Sequence, residues 1–280
     1  MSRVRSILAL AAVILSIACT TPAQTPGPAQ PANAQPTAGD EVNNGVLAYR
    51  AARYDEAIAH FRAALQLNPE QPFVRAYLAT ALAQNIVPGL DTPDNIKLAD
   101  ESIALFKDYL VDHPHDVNSM KQIAGIAYSI NKLDEARDWQ MKVLAEDPRD
   151  AEAAYTIGVI DWQQAHQNAL RALQAAGFND DGEGNISAPA QFFVTVKAQN
   201  ADLVDEALHY LGLAVQLRPN YDDAMAYLNL VYRRKADLDH DDPDARKDDV
   251  ATARAWASKA METRKANEVK AHSGPGSTQN

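Results

Sequence analysis

Cysteine is almost absent from this chain of 280 residues: Cys19 stands alone. A single thiol excludes an internal disulfide framework and any CxxC metal or redox pair. Glycine is scarce at 12 residues, and alternating runs of valine or isoleucine that would make half-buried strands are missing. Positive charge is in the minority, with 26 Lys and Arg against 37 Asp and Glu, a formal net charge of −11. Because Arg3 and Arg5 both lie in the first eighteen residues, the remainder carries −13. That balance argues against a nucleic-acid partner, whose phosphates are met by basic surfaces. No nucleophile elbow, dinucleotide or phosphate loop, or HExxH occurs, so the sequence points away from an enzyme and implies no cofactor.

What is present begins with an address. Residues 1–18 run from a short basic start through an apolar stretch, Ile7 to Ile17, to the small Ala18, the layout of a secretory signal. No later stretch is long and apolar enough for a bilayer crossing. Ser16-Ile17-Ala18-Cys19 resembles the end of a bacterial lipoprotein signal, departing from it at Ser16, where leucine is usual. The resemblance implies lipidation of Cys19 and an N-terminal membrane anchor. Thr20, in place of an aspartate, implies sorting to the outer membrane, facing the periplasm. Ser16 and Ala18 also fit the A-x-A spacing of an ordinary signal-peptidase site, which would release a soluble secreted or periplasmic protein. Residues 19–39 follow as the cysteine and a Pro/Ala/Gln spacer without charge, too poor in apolar bulk to offset its ordering entropy.

From residue 40 the signal is periodic. Prolines that end apolar helical stretches fall at Pro69, Pro114, Pro148 and Pro219; the central pair is 34 residues apart, and the flanking gaps of 45 and 71 read as the same period with insertions. Small and aromatic residues recur at matching offsets: Gly45, Ala57, Phe61 and Ala64; Ala79, Ser102 and Phe106; Ile123, Ala124 and Ala136; Ile157, Gly158, Ala207 and Ala214; Leu228, Tyr232, Ala253, Ala257 and Ala260. This pattern resembles the tetratricopeptide repeat (TPR). It implies an all-α solenoid of about five helix-turn-helix units over residues 40–268, before a disordered tail, 269–280.

Three insertions, Thr92-Pro93, Ser187 with Pro189, and Asp242-Pro243, each place a capping side chain and a first-turn proline where a second helix is expected to begin, so that 151–176 and 189–217 read as two long helical stretches. Unit four is thus expected to be a lengthened hairpin that protrudes from the solenoid with a solvated polar tip. In that tip, Asn179, Asp181 and Glu183 alternate like the first ligands of a calcium loop, but Ala190 stands where a bidentate glutamate is needed. These three are weak metal candidates and support an alternative reading, a periplasmic solute- or calcium-binding protein. The carboxylates between Asp237 and Asp249 read mainly as helix caps.

By the TPR resemblance, the first helix of each unit lines a concave groove. Its positions here include Tyr49, Arg50, Asn118, Lys121, Tyr128, Tyr155, Trp162, Arg233 and Arg234. Aromatic and arginine side chains are common binding anchors, and the basic members imply a partner segment bearing carboxylates. The expected function is a non-enzymatic scaffold or adaptor for protein partners of an envelope assembly. For Tyr155 and Trp162 the competing reading is plain packing within the lengthened hairpin.

Overall fold

A computed structural model describes residues 35–272. Cys19, the signal and most of the spacer lie outside those residues. The described chain is all-α, with ten helices: α1 (Ala38–Arg50), α2 (Tyr54–Leu67), α3 (Pro72–Ala83), α4 (Pro93–Asp112), α5 (Val117–Ser129), α6 (Leu133–Glu146), α7 (Ala151–Ala176), α8 (Ala190–Leu217), α9 (Asp222–Ala236) and α10 (Pro243–His272). None is long and apolar enough to cross a membrane. Contacts divide the chain into two compact units: residues up to 114 with 125–130, and residues 115–124 with 131 onward.

In unit 1, α1 pairs with α2 and α3 with α4. The α1–α2 crossing is set by size: a Cβ on Gly45 would lie 2.5 Å from the ring of Phe61, which is itself buried beside Ala57 and Ala64. Ser102 stands where the repeat usually has alanine, and its buried hydroxyl donates to the Ala79 carbonyl at 2.8 Å, so the polar atom carries no desolvation penalty. The insertion between α3 and α4 is ordered by buried Asn95, which accepts from Val87 N–H and donates to the Val87 and Leu90 carbonyls.

Unit 2 is built on the α7–α8 hairpin, followed by α9–α10. At the α7–α8 crossing a Cβ on Gly158 would meet Leu211 Cγ at 2.6 Å and the backbone of Ala207 and Leu211 at 3.1 Å. Higher in the hairpin, buried Asn200 donates to the Ala165 carbonyl and accepts from Asn168. Buried Asp161 accepts from Arg137 Nε of α6 at 2.7 Å, and Arg137 also pairs with Glu206 of α8. A polar side chain in each case ties neighbouring helices where α7 and α8 outgrow a regular repeat.

Start signals decide the helix bounds. Thr37 and Asp40 form a capping box, so α1 starts at Ala38, ahead of the expected boundary at 40; α10 runs to His272, past the expected end at 268. Thr92, Asp116, Asp150 and Asp242 accept from backbone N–H groups at the starts of α4, α5, α7 and α10. Ser187 does not cap α8. Pro189 occupies the cap position with extended geometry, its carbonyl accepting from Phe192, and no side chain completes the cap.

The crossing geometry makes opposite demands at two helical glycines. Gly158→Ala is expected to destabilise the fold by about 1–3 kcal/mol, because backbone atoms on α8 block relief of the clash. Gly212→Ala, on α8 with nothing within 4 Å of the new Cβ, is expected to stabilise by about 0.4–1 kcal/mol. Urea denaturation of the two variants and the parent chain measures both signs.

Candidate functional site

The apolar core of unit 2 leaves a row of rings at the boundary between α7 and α9. Tyr155 and Trp162 are seven residues apart, two turns of α7, and so lie on one face of the helix. Tyr221 precedes α9 and Tyr227 lies in its second turn. The rings form a ladder: Tyr221 to Tyr155 at 4.9 Å between centroids, Tyr155 to Tyr227 at 5.7 Å, Tyr227 to Trp162 at 5.1 Å, and Trp162 stacked on His166 at 5.1 Å. All five rungs are half-buried, the tyrosines and tryptophan resting on a core that includes Ala154, Leu228 and Val231. Burial raises the phenol pKa of Tyr221 and of Tyr227, so both keep their protons across the physiological range.

Tyr155 and Trp162 therefore meet α9 while also resting on the core shared by the hairpin helices. Tyr221 and Tyr227 went unread in the sequence because repeat offsets counted from Asp222 skip both. Tyr49, Arg50 and Tyr128 belong to unit 1; Tyr49 packs against Tyr54 at 5.5 Å, and Arg50 is exposed in the last turn of α1. Asn118, at the start of α5, is exposed.

The basic members of the expected groove are committed elsewhere. Lys121 pairs with Asp150 and approaches Glu152 at 3.9 Å, which fixes it at the start of α7. Arg233 reaches the hairpin loop, bonding the Gly182 carbonyl (3.1 Å to Glu183 Oε1 in the same grip), and Arg254 of α10 takes the other Glu183 oxygen at 2.6 Å. Arg234 is only 2% exposed and donates to Asp180 at 2.7 Å. It also contacts Asp237 at 3.1 Å, without hydrogen-bond alignment. Asp237, fully buried, accepts from Asn185 Nδ2 at 2.8 Å. Lys235 lies between Asp239 and Asp249. The expectation that Arg233 and Arg234 face a partner is thus overturned: two cations read as groove anchors are the clamp that holds residues 180–185 against α9.

The same contacts correct the reading of the loop. Its tip does not protrude as a solvated end; it is bound to α9 and α10, with His240 stacked on Phe193 at 3.8 Å beside it. Asp181 Oδ1 accepts from the backbone N–H groups of Glu183 and Asn185, and Glu183 is held by the two arginines, while Asn179 is exposed. Among the described residues no group of three His, Cys, Asp or Glu side chains converges as a metal site. In the Asp237–Asp249 stretch, Asp242 caps α10 as read, whereas Asp237 serves as the buried counter-charge. A polar cleft of about 350 Å³ beside α7 is lined by side chains already engaged with one another: Gln164 with Asp134, and Arg171 with Asn168.

Electrostatics around the clamp follow from burial. Burial pushes Asp237 up to about 6, against the opposing pull of Arg234 and Asn185. Burial also works on Asp180, but there Arg234, Asn185 and Gly182 N–H win and hold it below its usual value. Burial lowers His166, and nearby Arg234 adds to that.

Comparison with known proteins agrees with this architecture. Residues 42–71 match the tetratricopeptide repeat family. A crystal structure of MamA protein is 15% identical, with a TM-score of 0.55 over 86% of this chain and 98% of that one. MamA 41-end from Desulfovibrio magneticus RS-1 is 16% identical, with a TM-score of 0.54 over 82% and 96%. YrrB, described as a TPR protein with an unusual peptide-binding site, is 12% identical, with a TM-score of 0.50 over 82% and 92%. No protein of curated function matches the sequence. The fold class is a TPR solenoid, with unit four lengthened into the α7–α8 hairpin.

Two measurements check the clamp. Arg234→Ala is expected to cost about 3–5 kcal/mol in urea denaturation, since it leaves Asp237 buried without its cation. The raised carboxyl of Asp237 sets a pH dependence: its charged form is penalised in the fold, so its contribution to stability is full below about pH 4 and is lost as pH rises towards 6. His166, lowered in the fold, contributes with the opposite slope, so the informative quantity is a difference between variants. The stability of the parent chain relative to Asp237→Asn is expected to grow as pH falls from 7.5 to about 5. Parallel profiles would mean that Asp237 does not titrate there.

Proposed function

We propose that this chain is a non-enzymatic scaffold of the bacterial cell envelope, tethered through a lipid on Cys19, and that it captures a protein segment on the first-helix face of its repeats. The aromatic ladder carries the reading of the face: four half-buried Tyr and Trp rings on two successive first helices offer contact area at low cost in conformational entropy. The TPR fold supports a protein partner, as does the peptide-binding site named for YrrB. Lipidation and outer-membrane placement rest on the sequence around Cys19. Two acyl chains give stable anchoring where one is marginal. An envelope assembly is the partner class that fits such an address.

The ladder also changes which groups are put to the test. Charge reversal at Lys121 or Arg233 would disturb the start of α7 or the clamped loop, so loss of capture there would not report on recognition. Tyr227→Leu keeps apolar bulk and removes a ring face. Detergent-solubilised envelope from a two-membrane bacterium, cross-linked in the cell, is expected to yield a defined partner with the parent chain and at least tenfold less with Tyr227→Leu, with unchanged helical circular dichroism. Equal capture by both would reject the ladder as the partner face.

Address is tested separately. Full-length protein expressed in the same host is expected to carry the mass of acyl chains and to fractionate with membranes, both lost in Cys19→Ser. An unmodified soluble product would reject the anchor.

A further inference from the structure

The length of α7 leaves a cleft on the side of that helix opposite the ladder. Antiparallel α6 starts at Leu133, level with Gln164, whose carboxamide donates to Asp134 at 2.7 Å. Beyond that point α7 runs on for about three more turns, past the start of α6. Gln164, Gln167, Asn168 and Arg171 follow the i, i+3, i+4, i+7 spacing of one helix face, and with Leu133 of α6 and Leu203 of α8 they line the cleft of about 350 Å³. The cleft holds two separated charges. Asp134 accepts from Gln164 through one oxygen and pairs with no cation among the described residues. Arg171 donates to Asn168 Oδ1 and meets no carboxylate among the described residues, so most of its N–H fork is unused. Its direction is set from the core: Asn168 donates to fully buried Asn200 at 2.9 Å, and Asn200 donates to the Ala165 carbonyl at 2.8 Å. Between the two charges, half-buried Gln167 makes no hydrogen bond among the described residues, and its carboxamide offers both a donor and an acceptor.

Spacing selects the ligand. Gln164 and Arg171 stand seven residues apart, a rise of about 10 Å along α7. The complementary molecule carries a cation and an anion about that far apart, with an amide between them to exchange hydrogen bonds with Gln167. An extended chain advances about 3.3–3.6 Å per residue, so three residues place a free ammonium and a free carboxylate at this separation. A terminal carboxylate also suits the guanidinium fork, which can give it two parallel N–H bonds. Leu133 and Leu203 add apolar wall for small side chains. We infer that the cleft between α6, α7 and α8 binds a short free peptide of about three residues, its ammonium at Asp134 and its carboxylate on Arg171. An internal segment of a protein has neither terminal charge and would leave both ends of the cleft unanswered. The site is separate from the aromatic ladder and takes a small molecule, where the ladder takes a protein partner.

The probe is trialanine, titrated into the mature chain carrying Cys19→Ser. The readout is the pair of carboxamide N–H resonances of Gln167, assigned by their loss in Gln167→Met. They are expected to shift saturably, with half-saturation at about 1 mM or below. Arg171→Gln and Asp134→Asn, both verified as folded by circular dichroism, are each expected to weaken binding at least tenfold. Two capped peptides assign the ends. Trialanine amide is expected to bind the parent chain at least tenfold more weakly than trialanine, and to bind Arg171→Gln within twofold of it. N-acetyl-trialanine is expected to show the same pattern with Asp134→Asn. Unmoved Gln167 resonances at tens of millimolar trialanine overturn the inference. Equal binding of trialanine and N-acetyl-trialanine to the parent chain also overturns it, because the cleft would then be reading only the C-terminus of a longer chain. None of these results bears on the ladder as a partner face, which stands or falls with cross-linked capture by Tyr227→Leu.

Discussion

At position 158 there is room between α7 and α8 for a hydrogen atom and nothing larger, and unit 2 depends on that clearance. A helix pair this close places the Leu211 side chain over Gly158 and brings Ala207 and Ala214 into full burial. It also fixes the rotation of α7. Residues 155 and 162 stand three before and four after Gly158, within about 60° of it on the same broad face of α7, and on that flank α9 supplies Tyr221 and Tyr227. The ladder is thus a consequence of where the glycine sits. Gly45 against Phe61 repeats the principle in unit 1, with a ring in place of leucine as the filling group.

A second constraint comes from the length of the hairpin. Helices of 26 and 28 residues rise past the regular repeat, and their connecting loop needs a place to end. Apolar packing supplies part of it, through Phe192, Phe193 and Val196 with Leu238. The rest is ionic. Burying Arg234 and Asp237 carries a desolvation cost that their attraction offsets only when other polar partners are present, and Asp180 and Asn185 provide them. Asn185 takes a positive φ of 49° and Gly184 one of 90°, so the backbone turns to bring these side chains inward. The clamp selects one loop position among many; its contribution lies in specifying geometry more than in net stability.

Much of this was legible in the sequence wherever a residue's role depended on its own size or its neighbours in the chain. Gly45, Gly158, Ala57 and Ala207 were readable as crossing points because a 34-residue period places them, and Thr92-Pro93 and Asp242-Pro243 announced their helices locally. The groove was less legible because a position in a repeat does not say what the side chain will be asked to neutralise. Arg234 occupies a groove position by count and is buried in fact, since an acidic loop fifty residues earlier returns to meet it. Asp161, in the middle of an apolar helix, gave no sign of its partner Arg137, which lies on the preceding helix. Tyr221 and Tyr227 were hidden because they flank the expected offsets.

These contacts move the proposed recognition from charge to shape. With a net charge of −11, this chain would be expected to use its few cations outwardly, yet around the ladder they are used inwardly, on Asp150, Asp180, Glu183 and Asp237. What remains at the surface there is aromatic area whose phenols stay protonated. Binding by such a face should depend weakly on ionic strength, because contacts without net charge are not screened. It should instead be sensitive to changes that rotate α7, since a small turn of that helix would separate Tyr155 and Trp162 from Tyr227 together. The crossing at Gly158 and the aromatic ladder are therefore coupled through one helix, and a substitution at the glycine would shift the rings without touching one.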